Sequence, residues 1–270
     1  MTLVQFADEV AWKSLPLLGL ILLAGLAERW RPVQAQPWRG KAFNVACLFV
    51  YAVSVTVLRP LTAGVTVLAV NGAGGGWLAL PANGWHLLPS LLLYTLALDG
   101  GEYAFHRAQH RVPALWAMHS LHHSDTAMNA TTTDRHFWLE PGIKMMTIYL
   151  AAGLLFRPDP AIVGMYAVLG LYNVVPHMNL RWGLGRGAFL INTPQFHRLH
   201  HSILPQHYDC NFAALFPVFD VLCGTYRRPV AGEYPPTGIA GADRPSGMLE
   251  LLAWPLRRWL RRLGPEGRSG

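Results

Sequence analysis

Residues 15 to 27, LPLLGLILLAGLA, carry no charge, and with Val10, Ala11 and Trp12 ahead of them they reach the roughly 17 to 25 residues a helix needs to cross a bilayer. In hydrocarbon every backbone amide has to be satisfied within the segment, which such a run achieves as a helix. Asp8 and Glu9 stand where a signal peptide would carry basic residues, so a retained helix is expected. The whole chain agrees with a lipid setting. Of its 270 residues 52% are hydrophobic and only 14% charged, well below the charge of soluble domains. A net charge of +7, from 22 Lys and Arg against 15 acids, raises nucleic-acid binding as an alternative. The arginines lie between apolar runs, however, which fits lipid headgroups, so membrane lipids and no nucleic acid are the expected partners. Cys47, Cys210 and Cys223 form no Cys-x-x-Cys pair and are odd in number, which argues against a disulfide framework or thiolate metal site.

After the first run, ERWRPVQAQPWRGK gathers Arg29, Arg31, Arg39 and Lys41 in one short loop, which the positive-inside rule places in the cytoplasm. The apolar stretch 43 to 58 then leads outward, and NGAGGGWLALPANG at 71 to 84 reads as an uncharged far-side loop. WHLLPSLLLYTLALDGGEYAFH returns the chain and delivers His106 to the cytoplasmic face. The stretches 143 to 156 and 161 to 176, separated by the breaker RPDP, go out and back as a hairpin, either spanning or re-entrant, and His177 emerges on the same face. Near the C-terminus, MLELLAWPLRRWLRRLG sets Leu249, Leu252, Leu256, Trp259 and Leu263 against Arg257, Arg258, Arg261 and Arg262, the pattern of an interfacial helix interrupted by Pro255. The tail after Leu263 reads as disordered.

The expected fold is therefore all-α, with polytopic membrane helices under a cytoplasmic histidine-rich helical cap. It divides into membrane-spanning helices at 1–105, a histidine-cluster region at 106–228 that includes the hairpin 143–176, and a C-terminal interfacial segment and tail at 229–270.

Three clusters carry the chemistry: His106-x-x-x-His110, His119-x-x-His122-His123 and His197-x-x-His200-His201. Residues at i, i+3 and i+4 share a helix face, so each cluster can aim two or three imidazoles at one point. Burying so many polar rings without a ligand would leave donors and acceptors unsatisfied, which points to metal. Eight imidazoles exceed the ligands of one zinc or one octahedral ion, so two metals are expected, and imidazole suits Fe, Zn, Cu and Ni alike. His86 and His207 stand alone and read as packed or surface residues. No Glu-x-x-His motif of soluble di-iron bundles and no His-Glu-x-x-His motif of metalloproteases occurs. Asp99, Glu102 and Tyr103 lie one or two turns before His106, where the carboxylates either orient ligand rings or mark the membrane boundary.

DGGEYAFHRAQH, HSLHHS and HRLHHS, followed by NFAALFPVFDVLCGTY, resemble the fatty acid hydroxylase and sterol desaturase superfamily of integral-membrane di-iron oxygenases, over about Tyr94 to Arg228. The resemblance implies two iron ions held by His106, His110, His119, His122, His123, His197, His200 and His201, with His177 of VPHMN matching a further family histidine. It implies dioxygen as co-substrate and hydroxylation or desaturation of a lipid (fatty acyl, sterol or related) taken from the bilayer, with zinc as a substitute metal. No His-Pro-Gly-Gly haem motif appears, so electrons are expected from a separate donor, cytochrome b5-like or a ferredoxin with its reductase. Arg135-His136-Phe137-Trp138-Leu139-Glu140 departs from the family's Arg-x-His-Pro-x-Glu, which leaves the role of His136 open. Ala213 and Phe219 replace common Gly and Trp, whereas Asn211, Asp220, Gly224, Thr225 and Tyr226 agree. The alternative reading is a non-catalytic membrane metal-binding or transport protein. Ionisable groups along the spans would support it, and the spans are almost free of them.

Overall fold

The computed structural model describes residues 2–263. Helix α1 (Leu3–Glu28) starts on a capping box in which the Thr2 hydroxyl accepts from the Gln5 amide and the Gln5 side chain accepts from the Thr2 amide. Helix α2 is Trp38–Gly72 and α3 is Leu87–Arg111. Val112 turns the chain directly into α4 (Pro113–His123), with Pro113 in the first turn, where its missing N–H costs nothing. The hairpin is built from α5 (Glu140–Lys144), a π-helical turn (Met145–Tyr149), α6 (Leu150–Leu155) and α7 (Pro160–Gly170). Short helices α8 (Val174–His177), α9 (Pro194–His200), α10 (Val218–Leu222), α11 (Met248–Leu252) and α12 (Trp254–Leu263) complete the chain.

Two helices, α1 and α2, are long and apolar enough to cross a membrane. Trp12, Leu15, Leu22, Leu23 and Leu26 of α1 stand exposed, an apolar surface too continuous for a water-facing helix. Helix α2 runs fourteen residues past the expected end at 58, through Arg59 and Pro60. Its 35 residues make a rod of about 52 Å at 1.5 Å per residue, longer than the hydrocarbon layer. Helix α3 has the length but is interrupted by Asp99 and Glu102, and the returning hairpin leg α7 has only 11 residues.

The ends of these rods are tied in two sets. At one end, strand β1 (Leu78–Leu80) pairs in parallel with β2 (Phe156–Pro158), so the loop after α2 holds the tip of the hairpin. This two-stranded ribbon is the one departure from an all-α chain among the described residues. At the other end, the basic loop lies against the segment that follows His177. Pro32 bridges Leu180, the Arg181 amide donates to the Arg31 carbonyl at 2.9 Å, and the Gln34 amide donates to Asn179 Oδ1 at 3.2 Å. Glu28, the last residue of α1 and 3% exposed, accepts the amides of Ala130 (2.7 Å) and Asn179 (2.9 Å) and lies 3.6 Å from Lys41.

Gly100 and Gly101 are where α3 meets its neighbours. A side chain at Gly100 would meet the Phe219 ring of α10 at 2.9 Å, and one at Gly101 would meet Ile148 of the π turn at 2.8 Å. The C-terminal segment packs on the histidine helix: Leu251 and Trp254 are fully buried with Met118 and Leu121 of α4, and the Trp254 indole donates to Ser120 Oγ at 2.9 Å. The side chains of 261–263 and all of 264–270, on which part of the interfacial-helix and disordered-tail expectations rest, lie outside the described residues.

Candidate metal centre

The last two turns of α3 carry His106 and His110, α4 carries His119, His122 and His123, and α8 ends on His177. Helix α9 starts on Thr193, whose hydroxyl accepts from the Phe196 amide at 3.3 Å, with Pro194 in its first turn. Those caps fix the helical phase that puts His197, His200 and His201 on one face. All nine sequence-predicted histidines are brought together, in two groups. One is His106, His110, His119, His123 and His200; the other is His122, His177, His197 and His201. Within each group the ligand atoms lie within 4.8 Å of one another, an arrangement that could hold a metal ion. Helices α4 and α9 each supply both groups, so the groups are neighbours. The rings of His123 and His201, one from each, stack at 4.3 Å.

The tautomers explain the aim of the rings. The Nδ1–H of His106 donates to the Phe212 carbonyl, that of His177 to Asn173 and that of His200 to Cys210, each at 2.8 Å. A carbonyl only accepts, so the proton sits on Nδ1 and Nε2 is left as a bare lone pair. The Nε2 of His177 then faces two more imidazole nitrogens, His122 Nε2 and His197 Nε2, both at 3.0 Å, and His201 Nε2 lies 3.1 Å from His197 Nε2. Ligand nitrogens at about 2.1 Å from one ion sit about 3.0 Å apart at right angles and about 3.4 Å apart in a tetrahedron, so the spacing is that of ligands around a shared ion. Other ring nitrogens have no protein partner though buried: His106 Nε2, His200 Nε2 and both nitrogens of His119. A metal satisfies these lone pairs where protein does not.

Burial, and after it the repulsion between neighbouring imidazoles, lowers His119, His122, His123, His197 and His201 well below the usual histidine range. Burial lowers His177 and His200 to about 4, against backbone hydrogen bonds that raise them. At neutral pH the rings are uncharged and their lone pairs free to bind a cation.

His136 lies against the site without belonging to either main group. Its ring stacks on His122 at 4.4 Å, and with His119 and Glu140 it forms a third set of close donor atoms. Its Nδ1 is 3.2 Å from Glu140 Oε2. Burial pushes the Glu140 carboxyl up, but His136 and Lys144 outweigh it and hold it at about 2. Lys144 lies 3.7 Å from Glu140 and 2.8 Å from Glu102, so a chain of polar contacts runs from His136 back to α3.

The acids near His106 are both engaged by protein groups. Asp99 accepts the amides of Leu215 (2.8 Å) and Phe216 (2.9 Å) and so pins the loop beside the site, while Glu102 is taken up by Lys144. The backbone carbonyls that orient His106 and His200 are held by residues further along. Asp220 accepts the amides of Phe212 and Ala213 at 2.8 Å and the Thr225 hydroxyl at 2.6 Å, and Asn211, at φ +58°, bonds both ways with Arg227. His207 is buried between Ser202 Oγ (2.9 Å) and Glu233 (3.2 Å), and His86 stacks on Trp85; both lie outside the histidine groups.

Two cavities flank the centre. One of about 210 Å³ reaches His106, His119, His122, His177 and His197 past apolar Leu17, Leu171 and Val174. The other, about 230 Å³, lies on the side of His110, His123 and His200 and is walled by Trp116, Tyr208 and Asp209.

Comparison with known proteins follows this geometry. The sequence model of one family, described as fatty acid hydroxylase, matches residues 91–225, half of the 270-residue chain. Alkylglycerol monooxygenase of Xenopus tropicalis is 33% identical over 132 residues, 48% of this chain and 29% of that protein. The Danio rerio protein of the same name is 33% identical over 156 residues, 58% and 33%. Very-long-chain aldehyde decarbonylase GL1-1 of Oryza sativa subsp. indica is 28% identical over 177 residues, 59% and 28%. The chain spans about a third of the length of these curated relatives. No solved structure matches it. The matched stretch contains all nine histidines and the loops that orient them: the chain belongs to the fatty acid hydroxylase family, within the fatty acid hydroxylase and sterol desaturase superfamily.

Proposed function

We propose that this chain is a multi-pass membrane oxygenase that inserts oxygen into a carbon–hydrogen bond of a lipid, at a two-iron centre held by the five-histidine and four-histidine groups. The observation that carries this reading is the convergence of bare Nε2 lone pairs, fixed by three Nδ1–H to carbonyl bonds, on two adjacent points. Two irons there would supply the reduction of dioxygen by two electrons and the oxidation of the substrate carbon, with water as the second product. The protein's own part is to keep nine imidazoles neutral, to fix their tautomers, and to admit an apolar chain past Leu17, Leu171 and Val174. The names of the relatives make a monoalkylglycerol the first substrate to assay and hydroxylation the favoured outcome over desaturation. Electrons would come from a separate donor, and the cavity at Trp116 and Asp209 is the open approach on the side away from Leu17.

Purified protein is expected to carry about two metal ions per chain, iron in the active form and zinc after overexpression. Elemental analysis of folded protein giving one ion or none would defeat the reading. Restoring iron to a zinc-loaded preparation should restore oxidation of the lipid.

The sidedness follows from charge and contact. The loop Arg29–Lys41 goes inside, and its contacts with Asn179 to Arg181 support the same side for the histidine region, while the pairing of 78–80 with 156–158 supports a far side for the hairpin tip. On this reading residues 1–105 are membrane helices, 106–228 the cytoplasmic metal region with its hairpin at 143–176, and 229–270 an interfacial segment and tail. Single cysteines at exposed Ala73, Val112 and Gln206, in a background lacking Cys47, Cys210 and Cys223, test it. An impermeant thiol reagent on intact cells should label only the Ala73 site. Labelling of the other two from outside would overturn the topology and the cytoplasmic electron donor with it.

A further inference from the structure

Behind the metal cavity, a second chamber of about 320 Å³ opens between α3, α7 and the π turn. The two adjoin, with Glu102, Lys144, Gly170, Asn173 and Ala214 lining both. Its walls combine apolar Val163, Ala167 and Leu169 with four tyrosines, Tyr94, Tyr149, Tyr166 and Tyr172. So many hydroxyls are out of place between helices read as membrane-embedded, where each unmatched polar group costs several kcal/mol. Only one tyrosine is matched: the Tyr172 hydroxyl donates to the Asn192 carbonyl at 2.7 Å. No hydrogen bond to the hydroxyls of Tyr94, Tyr149 or Tyr166 occurs among the described residues. Thr95, 3% exposed, lines the same chamber, and its Oγ1 is buried without a partner.

The charges in the wall are largely committed. Lys144 is held by Glu102 at 2.8 Å and Glu140 at 3.7 Å, and Asp99 by two amides. Arg59 is the remaining cation and stands exposed at the margin. A wall of free hydroxyls beside paired charges suits an uncharged group rich in hydroxyls, and gives a phosphate or carboxylate little to hold it. Glu102, which lines both chambers, lies one helical turn before His106, about 6 Å along α3. A headgroup seated against Glu102 therefore puts the carbons next to it beside the histidine groups.

We propose that this tyrosine-lined chamber is the headgroup site of the substrate: it holds the neutral, hydroxyl-bearing end of an amphiphilic lipid and thereby selects which carbon meets the metal centre. The proposal rests on the lipid-oxygenase reading, but binding of the headgroup needs no metal, so the two can fail separately. The probe is a radiolabelled monoalkylglycerol, compared with its phosphate ester of equal chain length, and binding is measured in nanodiscs before and after metal removal. Wild-type protein should hold the neutral probe at least about tenfold more tightly than the phosphate ester. Thr95→Val with Tyr166→Phe should weaken the neutral probe about tenfold and leave metal content and phosphate-ester binding unchanged, while Thr95→Ser should bind as wild type. Unchanged affinity in the double variant, or preference for the phosphate ester, overturns the proposal. Binding that follows this pattern without oxidation of the probe would leave the headgroup site standing and count against the oxygenase reading.

Discussion

Replacing His122 by alanine is expected to halve the metal content and to lower lipid oxidation by at least about 100-fold, since losing a mere supporting partner of a ligand already costs 10–100-fold. His122 belongs to the four-histidine group, where its Nε2 sits 3.0 Å from that of His177, whereas the next residue, His123, belongs to the five-histidine group. On the two-ion reading, adjacent residues on one helix would therefore serve different ions. His122→Ala should release one ion and His123→Ala the other, each leaving about one per chain, and the double variant should hold none. His86→Ala removes an imidazole stacked on Trp85, outside both groups, and should keep both metal and activity. A preparation of His122→Ala that still carried two ions and oxidised lipid normally would break the division into two groups. Melting curves guard against misreading a folding defect, because replacing a ring 3% exposed also opens a small cavity.

Eight of the nine histidines were legible because helical spacing is local, and His177, alone in VPHMN, only through the family resemblance. His119, His122 and His123 share a face whatever surrounds them. Their division into five and four was not, because it depends on which side of each histidine α4 and α9 present to the other, and only packing decides that. The same limit hid the chamber. Glu102 and Lys144 are 42 positions apart and become a pair at 2.8 Å through the hairpin, so spans that looked nearly free of charge enclose an ion pair. Hydropathy found α1 and the start of α2 but stopped at Arg59-Pro60, a pair that reads as a break. The helix continues because proline removes a single hydrogen bond, and the turns on both sides are packed against the hairpin by Ser54, which donates to the Trp138 carbonyl, and by Thr66, which donates to that of Met145. The partners of Asp99 are hidden for a related reason: the Leu215 and Phe216 amides lie more than a hundred residues away and leave no mark near it in the sequence.

Arg135 shows what holds the histidine helix in place, and its replacement by methionine is expected to cost about 3–5 kcal/mol, the range for removing one partner of a buried charge network. The side chain is 5% exposed, and each guanidinium nitrogen donates: Nε to the Leu121 carbonyl at 3.1 Å, one amino group to Asn44 Oδ1 at 2.9 Å and the other to Ser124 Oγ at 2.7 Å. Asn44, on α2, passes the contact on, since its Nδ2 donates to Asp125 Oδ2 at 2.7 Å; the Thr132 hydroxyl donates to the same oxygen at 2.7 Å. Burial pulls the guanidinium down from its ordinary value and Asp125 opposes that, as expected for two opposite charges sharing one dry site. Methionine fills the volume but leaves Asn44 Oδ1 and Ser124 Oγ without a donor, and a carboxylate at 5% exposure without a cation, while the Leu121 carbonyl keeps the Ser124 amide and hydroxyl. Leu121 and Ser124 flank His122 and His123, so the loss falls on the turn that aims both groups. The melting temperature of Arg135→Met in detergent should drop by roughly 10 °C, and Arg135→Lys, which keeps the charge but not the fork of donors, should fall between it and wild type. The decisive comparison is the double variant with Asp125→Asn. If the charges are coupled through Asn44, removing both is less harmful than the sum of the single losses, and a strictly additive result would mean that Arg135 acts only as a donor to α4 and that Asp125 is balanced by other groups.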